Sequence, residues 1–430
     1  MRQLPIVLGL LLCLPQIANA APDVNVAHYS VRLRPDIKTK SVTGHAEITV
    51  VVRDATTVRF DAGALEIDRV DENGTALSFV KEGERLAIDL PGGGIHHVGI
   101  DYHGTPSKGV RFFPDAGQVY AGFATSQWMP CIDAPDERAT LDLTLEVEKG
   151  LKVVASGELE SEETLADGRV ASHWSLKEPM PSYLYGFAVG HFREVIDDSA
   201  KPTLRFLAPE SFSETDIRRV FALTRDMIAF YEEKSGHAYP AAVYTHALLE
   251  GRPAQELADF TELRESYGKQ VLEDATKVWL GAHELQHQWW GNRVTNKAWT
   301  EFWLNEGIGT FMTEAYIEHR FGHAAYMKDI DAYKANYEKL RAAGQDKPLV
   351  FPDWDHPTPE DRSIVYDKGA YVVFLLRQEL GDKAFWAGIK RYTEDNWGKS
   401  VTTSDFQLAM QQASGTNLDD FFARWVYMTR

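Results

Sequence analysis

Leu141-Asp142-Leu143-Thr144-Leu145-Glu146-Val147 alternates apolar and polar residues without a break. A period of two sends successive side chains to opposite faces of a strand, one toward a core and the other toward water. The same alternation runs through Tyr29-Ser30-Val31-Arg32-Leu33 and Ala46-Glu47-Ile48-Thr49-Val50. Asn73-Gly74, between strand-like runs, is a hairpin signal, because both residues tolerate the positive φ of a two-residue turn. Gly92-Gly93-Gly94 reads as a turn or loop and not as a phosphate cradle, since no helical pattern follows it. From Tyr29 to about Val195 the pattern predicts β structure.

Beyond a last strand-like stretch, Lys201 to Pro209, the period changes. Ile217, Val220, Phe221, Thr224, Met227 and Ile228 form one helical stripe, and helical spacing dominates from there to the end. The expected class is α+β: an all-β domain over residues 21–199, then a mainly helical domain with a small β-sheet over 200–430. Residues 1–20 carry Arg2, an apolar run from Ile6 to Leu14 and the small-residue pattern Ala18-Asn19-Ala20, which predicts a signal peptide and export to a periplasm or beyond. That run is shorter than the roughly 20 residues of a spanning helix, so no stable membrane anchor is expected.

The 430 residues, 44% hydrophobic and 25% charged, suffice for a large core. The formal charge of −18 disfavours nucleic acid as a partner. Cys13 falls within the signal, which leaves Cys131 alone, so stability must come from the core and any bound metal and not from a disulfide.

Within the helical half stands His283-Glu284-Leu285-Gln286-His287, in a predicted helix from about Asp274 to Trp290 that stops at Gly291-Asn292. Residues four apart share a helix face, so the two imidazoles can reach one metal ion. Glu284 is turned about 100° from His283, placed to reach a metal-activated water without being a ligand. His319 and His323 are also four apart, but Gly322 ends the helix between them and no glutamate follows His319; they read as surface histidines. A catalytic zinc takes three protein ligands, and the third candidate is Glu306, in Trp303-Leu304-Asn305-Glu306-Gly307 at the start of a second helix reaching about Arg320. Two imidazoles and a carboxylate suit Zn2+, one per chain.

These residues resemble the zinc aminopeptidases of the aminopeptidase N type, in which His-Glu-x-x-His is followed by a glutamate after eighteen intervening residues. The similarity extends through Trp289-Trp290-Gly291-Asn292, Trp303 to Gly307, Pro130-Cys131-Ile132-Asp133-Ala134-Pro135 and Ala139-Thr140. It implies a β domain followed by a thermolysin-like catalytic domain. It also implies that Tyr366, in Tyr366-Asp367-Lys368-Gly369-Ala370, donates to the oxyanion of the tetrahedral intermediate. The family's Gly-x-Met-Glu-Asn segment corresponds to Pro253-Ala254-Gln255-Glu256-Leu257, which keeps only the glutamate, so Glu256 is the expected anchor for a substrate α-amino group.

The implied reaction is removal of N-terminal residues from peptides with a free N-terminus, by metal-activated water with Glu284 as general base. Glu301 is a candidate partner for a zinc-bound histidine. Near Ser126-Gln127-Trp128 the chain is shorter than the family pattern, which leaves the pocket for the first substrate side chain unassigned. The further domains of longer relatives have no counterpart before Arg430, which predicts a cleft that is open or closed by a partner subunit; the oligomeric state stays unassigned. Two alternatives remain: a zinc endopeptidase, favoured by the altered segment at 253–257, and a zinc-stabilised peptide-binding protein, which would have no need of Glu284.

Overall fold

The structure, a computed structural model, describes residues 23–54, 56–351, 354 and 357–429. The expected signal peptide lies outside the described residues. The alternating segments form an eight-stranded sheet in which Val24–Asp36 pairs antiparallel with Ser41–Val52 and parallel with Arg138–Val147. Leu141, Leu143, Leu145 and Val147 are buried on one face, as their period demands. A three-stranded and a four-stranded sheet complete this half. The turn after Glu66–Glu72 has Asn73 at φ 50° and Gly74 at φ 82°, the two positive φ angles expected of a hairpin.

The second half opens on a five-stranded sheet with the order Phe192–Asp197, Thr203–Pro209, Val243–Leu249, Phe260–Arg264, Ala254–Leu257. By sheet membership the crossing between halves falls at Gly190-His191, before the first of these strands. Both faces of this sheet are covered. Leu204, Phe206, Tyr244, Leu248 and Leu263 pack into the helical core, while Leu207, Ala247, Leu249, Leu257 and Phe260 pack into the β core. The alternation along each strand thus joins the two halves. Polar contacts add to this: Arg138 donates to Thr295 Oγ1 at 2.9 Å and Tyr183 donates to the Gly291 carbonyl at 2.9 Å.

Helices follow where the 3.6-residue spacing places them, with two differences. The stripe from Ile217 to Ile228 is split into Glu214–Val220 and Thr224–Ser235, with Phe221 in the break stacked on His246. The helix expected from Asp274 starts only at Trp279 and runs to Gln286. Asp274 Oδ1 accepts from both the backbone N–H and the hydroxyl of Thr276, and this local turn competes with helix. Among the described residues no helix is long and apolar enough to cross a membrane.

Candidate active site

His283 and His287 project from the helix Trp279–Gln286, His287 at its last turn, and Glu306 from the first turn of Trp303–Phe321. Glu306 Oε2 lies 3.2 Å from His283 Nε2 and 3.6 Å from His287 Nε2, and the two Nε2 atoms are 3.3 Å apart. Zinc–ligand bonds of 2.0–2.1 Å in tetrahedral array give ligand–ligand edges of about 3.3 Å. The three donors therefore already form one face of a zinc tetrahedron, and they are able to hold a metal ion.

The supporting contacts fix this face. The Nδ1 of His287 is 2.9 Å from the Trp290 carbonyl, which makes it the N–H tautomer there and leaves the Nε2 lone pair toward Glu306. The Trp-Trp-Gly-Asn turn makes that bond. Gly291 is at φ 137°, and a Cβ there would stand 2.7 Å from His287 Nδ1. His283 is stacked on Trp279, ring centroids 4.6 Å apart and planes 12° off parallel. Trp279 Nε1 donates to Glu314 at 2.7 Å, as does the Tyr333 hydroxyl at 2.6 Å. Nothing in the sequence pattern singled out Trp279 or Glu314; their position one turn before His283 and two turns beyond Glu306 was the available signal.

The other two acids stand beside the ligands. Ligand atoms of Glu256, Glu284 and His287 lie within 4.8 Å of one another. Glu256 sits on the edge strand Ala254–Leu257, 4% exposed. That strand is held to the motif helix through one carbonyl: Leu257 O accepts from Gln288 Nε2 at 2.9 Å and Asn292 Nδ2 at 3.3 Å. Tyr366 occupies a π-helical turn, Ile364–Lys368, with its ring centroid 6.1 Å from that of His283. Gly307 and Gly369 let its helix approach closely, since a Cβ on Gly307 would be 2.9 Å from the Gly369 Cα. Glu256, His283, Glu284, His287, Glu306 and Tyr366 line one cavity of about 900 Å³.

The electrostatics call for a cation. Burial, then the Glu256 carboxylate, pushes Glu284 well above the ordinary carboxylate range; burial, then Glu306, does the same to Glu256. Burial opposes a charge on His287, yet Glu306, Glu256 and Glu284 override it and push the imidazole up to about 10. Three acids thus recruit positive charge to the point where the ligand atoms converge, a fit to a divalent metal. Burial and the same three acids hold the Tyr366 phenol protonated and so a hydrogen-bond donor.

Glu301 is elsewhere. Its Oε2 accepts from the Thr403 backbone N–H and hydroxyl at 3.1 and 2.5 Å, at the start of the helix Thr403–Ser414, and it has no role as a histidine partner. His319 and His323 are exposed on either side of Gly322, as expected.

Comparison with known proteins bears on the whole chain. The Peptidase M1 N-terminal domain matches residues 25–184 and the Peptidase family M1 domain matches residues 265–425. A probable aminopeptidase 1 of Saccharolobus solfataricus is 26% identical over 401 residues, covering 86% of this chain and 49% of that protein. Aminopeptidase M1-C of Oryza sativa is 26% identical over 437 residues, covering 92% of this chain and 49% of that one. The chain thus spans about half the length of the curated relatives it matches. An M1 zinc metallopeptidase from Deinococcus radiodurans superposes with a TM-score of 0.78 at 22% identity, covering 95% of each chain. The same protein in a variant bound to a Tyr-Ser-Ala substrate gives 0.79 at 22% identity over 94% of each chain. These likenesses share the two-domain fold.

Proposed function

The chain belongs to peptidase family M1, and on that premise we propose that it is a zinc aminopeptidase that removes N-terminal residues from peptides. The observation that carries the proposal is the buried juxtaposition of Glu256 with Glu284 and the His283–His287–Glu306 face. His283, His287 and Glu306 would hold the zinc, which when bound would supply Lewis acidity to a scissile carbonyl and to the attacking water.

The chain's own residues do the rest. Glu284 accepts the proton of the attacking water and delivers it to the leaving amine, and its raised affinity for a proton suits both halves of that transfer. Tyr366, protonated beside His283, donates to the developing oxyanion. Glu256 accepts the substrate ammonium, which neutralises a carboxylate that burial otherwise disfavours. Anchoring the amine there sets the register, so that hydrolysis falls one residue in. The Lys368 ammonium, 2.7 Å from Asp346 and 2.6 Å from the Lys347 carbonyl, secures the turn that carries Tyr366. For the first 20 residues we propose a signal peptide, and hence export.

The test is hydrolysis of aminoacyl fluorogenic amides and their N-acetyl forms, with and without chelator, by wild type and Glu256→Ala. Chelator-sensitive cleavage of free amines that falls by roughly 10²-fold or more in Glu256→Ala is expected, since the variant leaves a substrate ammonium buried and unpaired. Equal cleavage of the acetylated forms would favour an endopeptidase instead.

A further inference from the structure

One acid in the cavity wall has no part in this chemistry. Glu262 lies on Phe260–Arg264 directly opposite Gln255 of the edge strand, so the two side chains leave the sheet on the same face. It is 2% exposed and lines the same cavity as Glu256, His287 and Tyr366. Its Oε1 is buried without a hydrogen-bond partner among the described residues. Burying a carboxylate without a partner is costly, and such a group in a native chain calls for an explanation.

What faces Glu262 is a gap left by Gly122. A Cβ on Gly122 would stand 3.3 Å from Glu262 Oε2 and 3.2 Å from Gln255 Cγ. Gly122 is not among the glycines at positive φ, so its backbone does not require glycine; the missing side chain is what leaves the carboxylate open to the cavity. The nearby Tyr120 hydroxyl donates to the Glu250 carbonyl at 3.1 Å and is not aimed at Glu262. Arg111 and Arg252 also line the cavity, but both are exposed to water, and neither bonds the buried Glu262 Oε1.

We propose that Glu262 receives the cationic end of a lysine or arginine side chain at the first residue of the substrate. The proposal rests on the aminopeptidase reading, in which Glu256 holds the α-amino group of that same residue. Glu256, opposite Thr261, and Glu262, opposite Gln255, leave the strand pair on opposite faces, and both line the one cavity at the edge of the sheet. The two carboxylates then hold the two cationic groups of one residue, each through charge-assisted hydrogen bonds.

The experiment compares kcat/KM for Lys, Arg, Leu and Ala fluorogenic amides on the zinc-loaded full chain, its Glu262→Gln variant and its Glu262→Leu variant. Calorimetric binding of free L-lysine and L-norleucine accompanies it. Wild type is expected to prefer Lys and Arg, and both variants to lose about thirtyfold or more on these, with Leu and Ala changing by less than about threefold. Lysine is expected to bind wild type more tightly than norleucine, a difference that disappears in Glu262→Gln. Equal binding of the two amino acids by wild type, or a parallel fall on all four amides, overturns the proposal. Lysine discrimination without chelator-sensitive hydrolysis of any amide would instead break the aminopeptidase reading and leave the cation site standing.

Discussion

The two elements that meet in the cavity hold their side chains by different means. The motif helix Trp279–Gln286 and its C-cap present His283 and His287 through the helical period, and Gly309 lets the neighbouring helix that carries Glu306 pack closely against Gln286 and His287. The edge strand Ala254–Leu257 has no such internal device. Glu256 is in place because Gln288 and Asn292, both from the turn after the motif helix, hold the Leu257 carbonyl, and because Gln255 Nε2 donates to Glu256 Oε2 at 2.6 Å. Local repeat makes the metal face robust. Hydrogen bonds from other segments, and not a local repeat, hold the proposed amine anchor.

The largest effect is expected on the helix side. Glu284→Gln keeps the side-chain volume and removes the proton acceptor, so kcat falls by about 10²- to 10⁴-fold while zinc content stays that of wild type. Metal analysis beside steady-state kinetics checks both halves, and loss of zinc in the variant would mean that Glu284 belongs to the metal face.

An intermediate effect concerns the metal-free protein. In the folded metal-free chain Glu306, Glu256 and Glu284 overcome burial and push the His287 imidazole up to about 10, above its ordinary value of about 6.5. A raised value means that the folded chain holds a proton the unfolded chain has released. The resulting stability is complete below about pH 6.5 and is lost as pH rises through 10. The chelated protein is therefore expected to melt lower at pH 9 than at pH 7, and zinc to remove most of that slope, because the metal takes the place of the proton. Melting curves at several pH values, with and without chelator, measure this; a slope unchanged by zinc would separate the titration from the metal face.

The smallest effect is expected on the strand side. Gln288→Leu removes the shorter of the two bonds to the Leu257 carbonyl, while Asn292 retains the other, and also removes the acceptor of the Asp259 N–H. Cleavage of free-amine substrates should weaken a few-fold, mainly in KM, with a loss of stability of about 2 kcal/mol for the two bonds. A fall in kcat with KM unchanged would show that the two elements are coupled more tightly than this comparison holds.

Much of this was legible in one dimension. The alternation at Leu141–Val147 and the spacing of His283, Glu284 and His287 report on local geometry, and local geometry is a function of period, whereas Glu306 stands on a second helix. The late start of the motif helix was not legible, because a side-chain turn at Asp274 overrode a continuous pattern. Glu301 was misplaced for the opposite reason: proximity in sequence to Glu306 says nothing about direction, and its carboxylate turns to Thr403, a hundred residues on.

By itself, the sequence determined the two textures of the chain and proposed the ligand set and the proton acceptor, since these depend on residue type and separation along the chain. Only the tertiary structure decided that the five-stranded sheet is buried on both faces and that Trp279 and Glu314 back His283. It also decided that Glu256 and Glu262 open onto one cavity. Those relations join segments far apart in the chain, and they exist only after burial has brought the segments together.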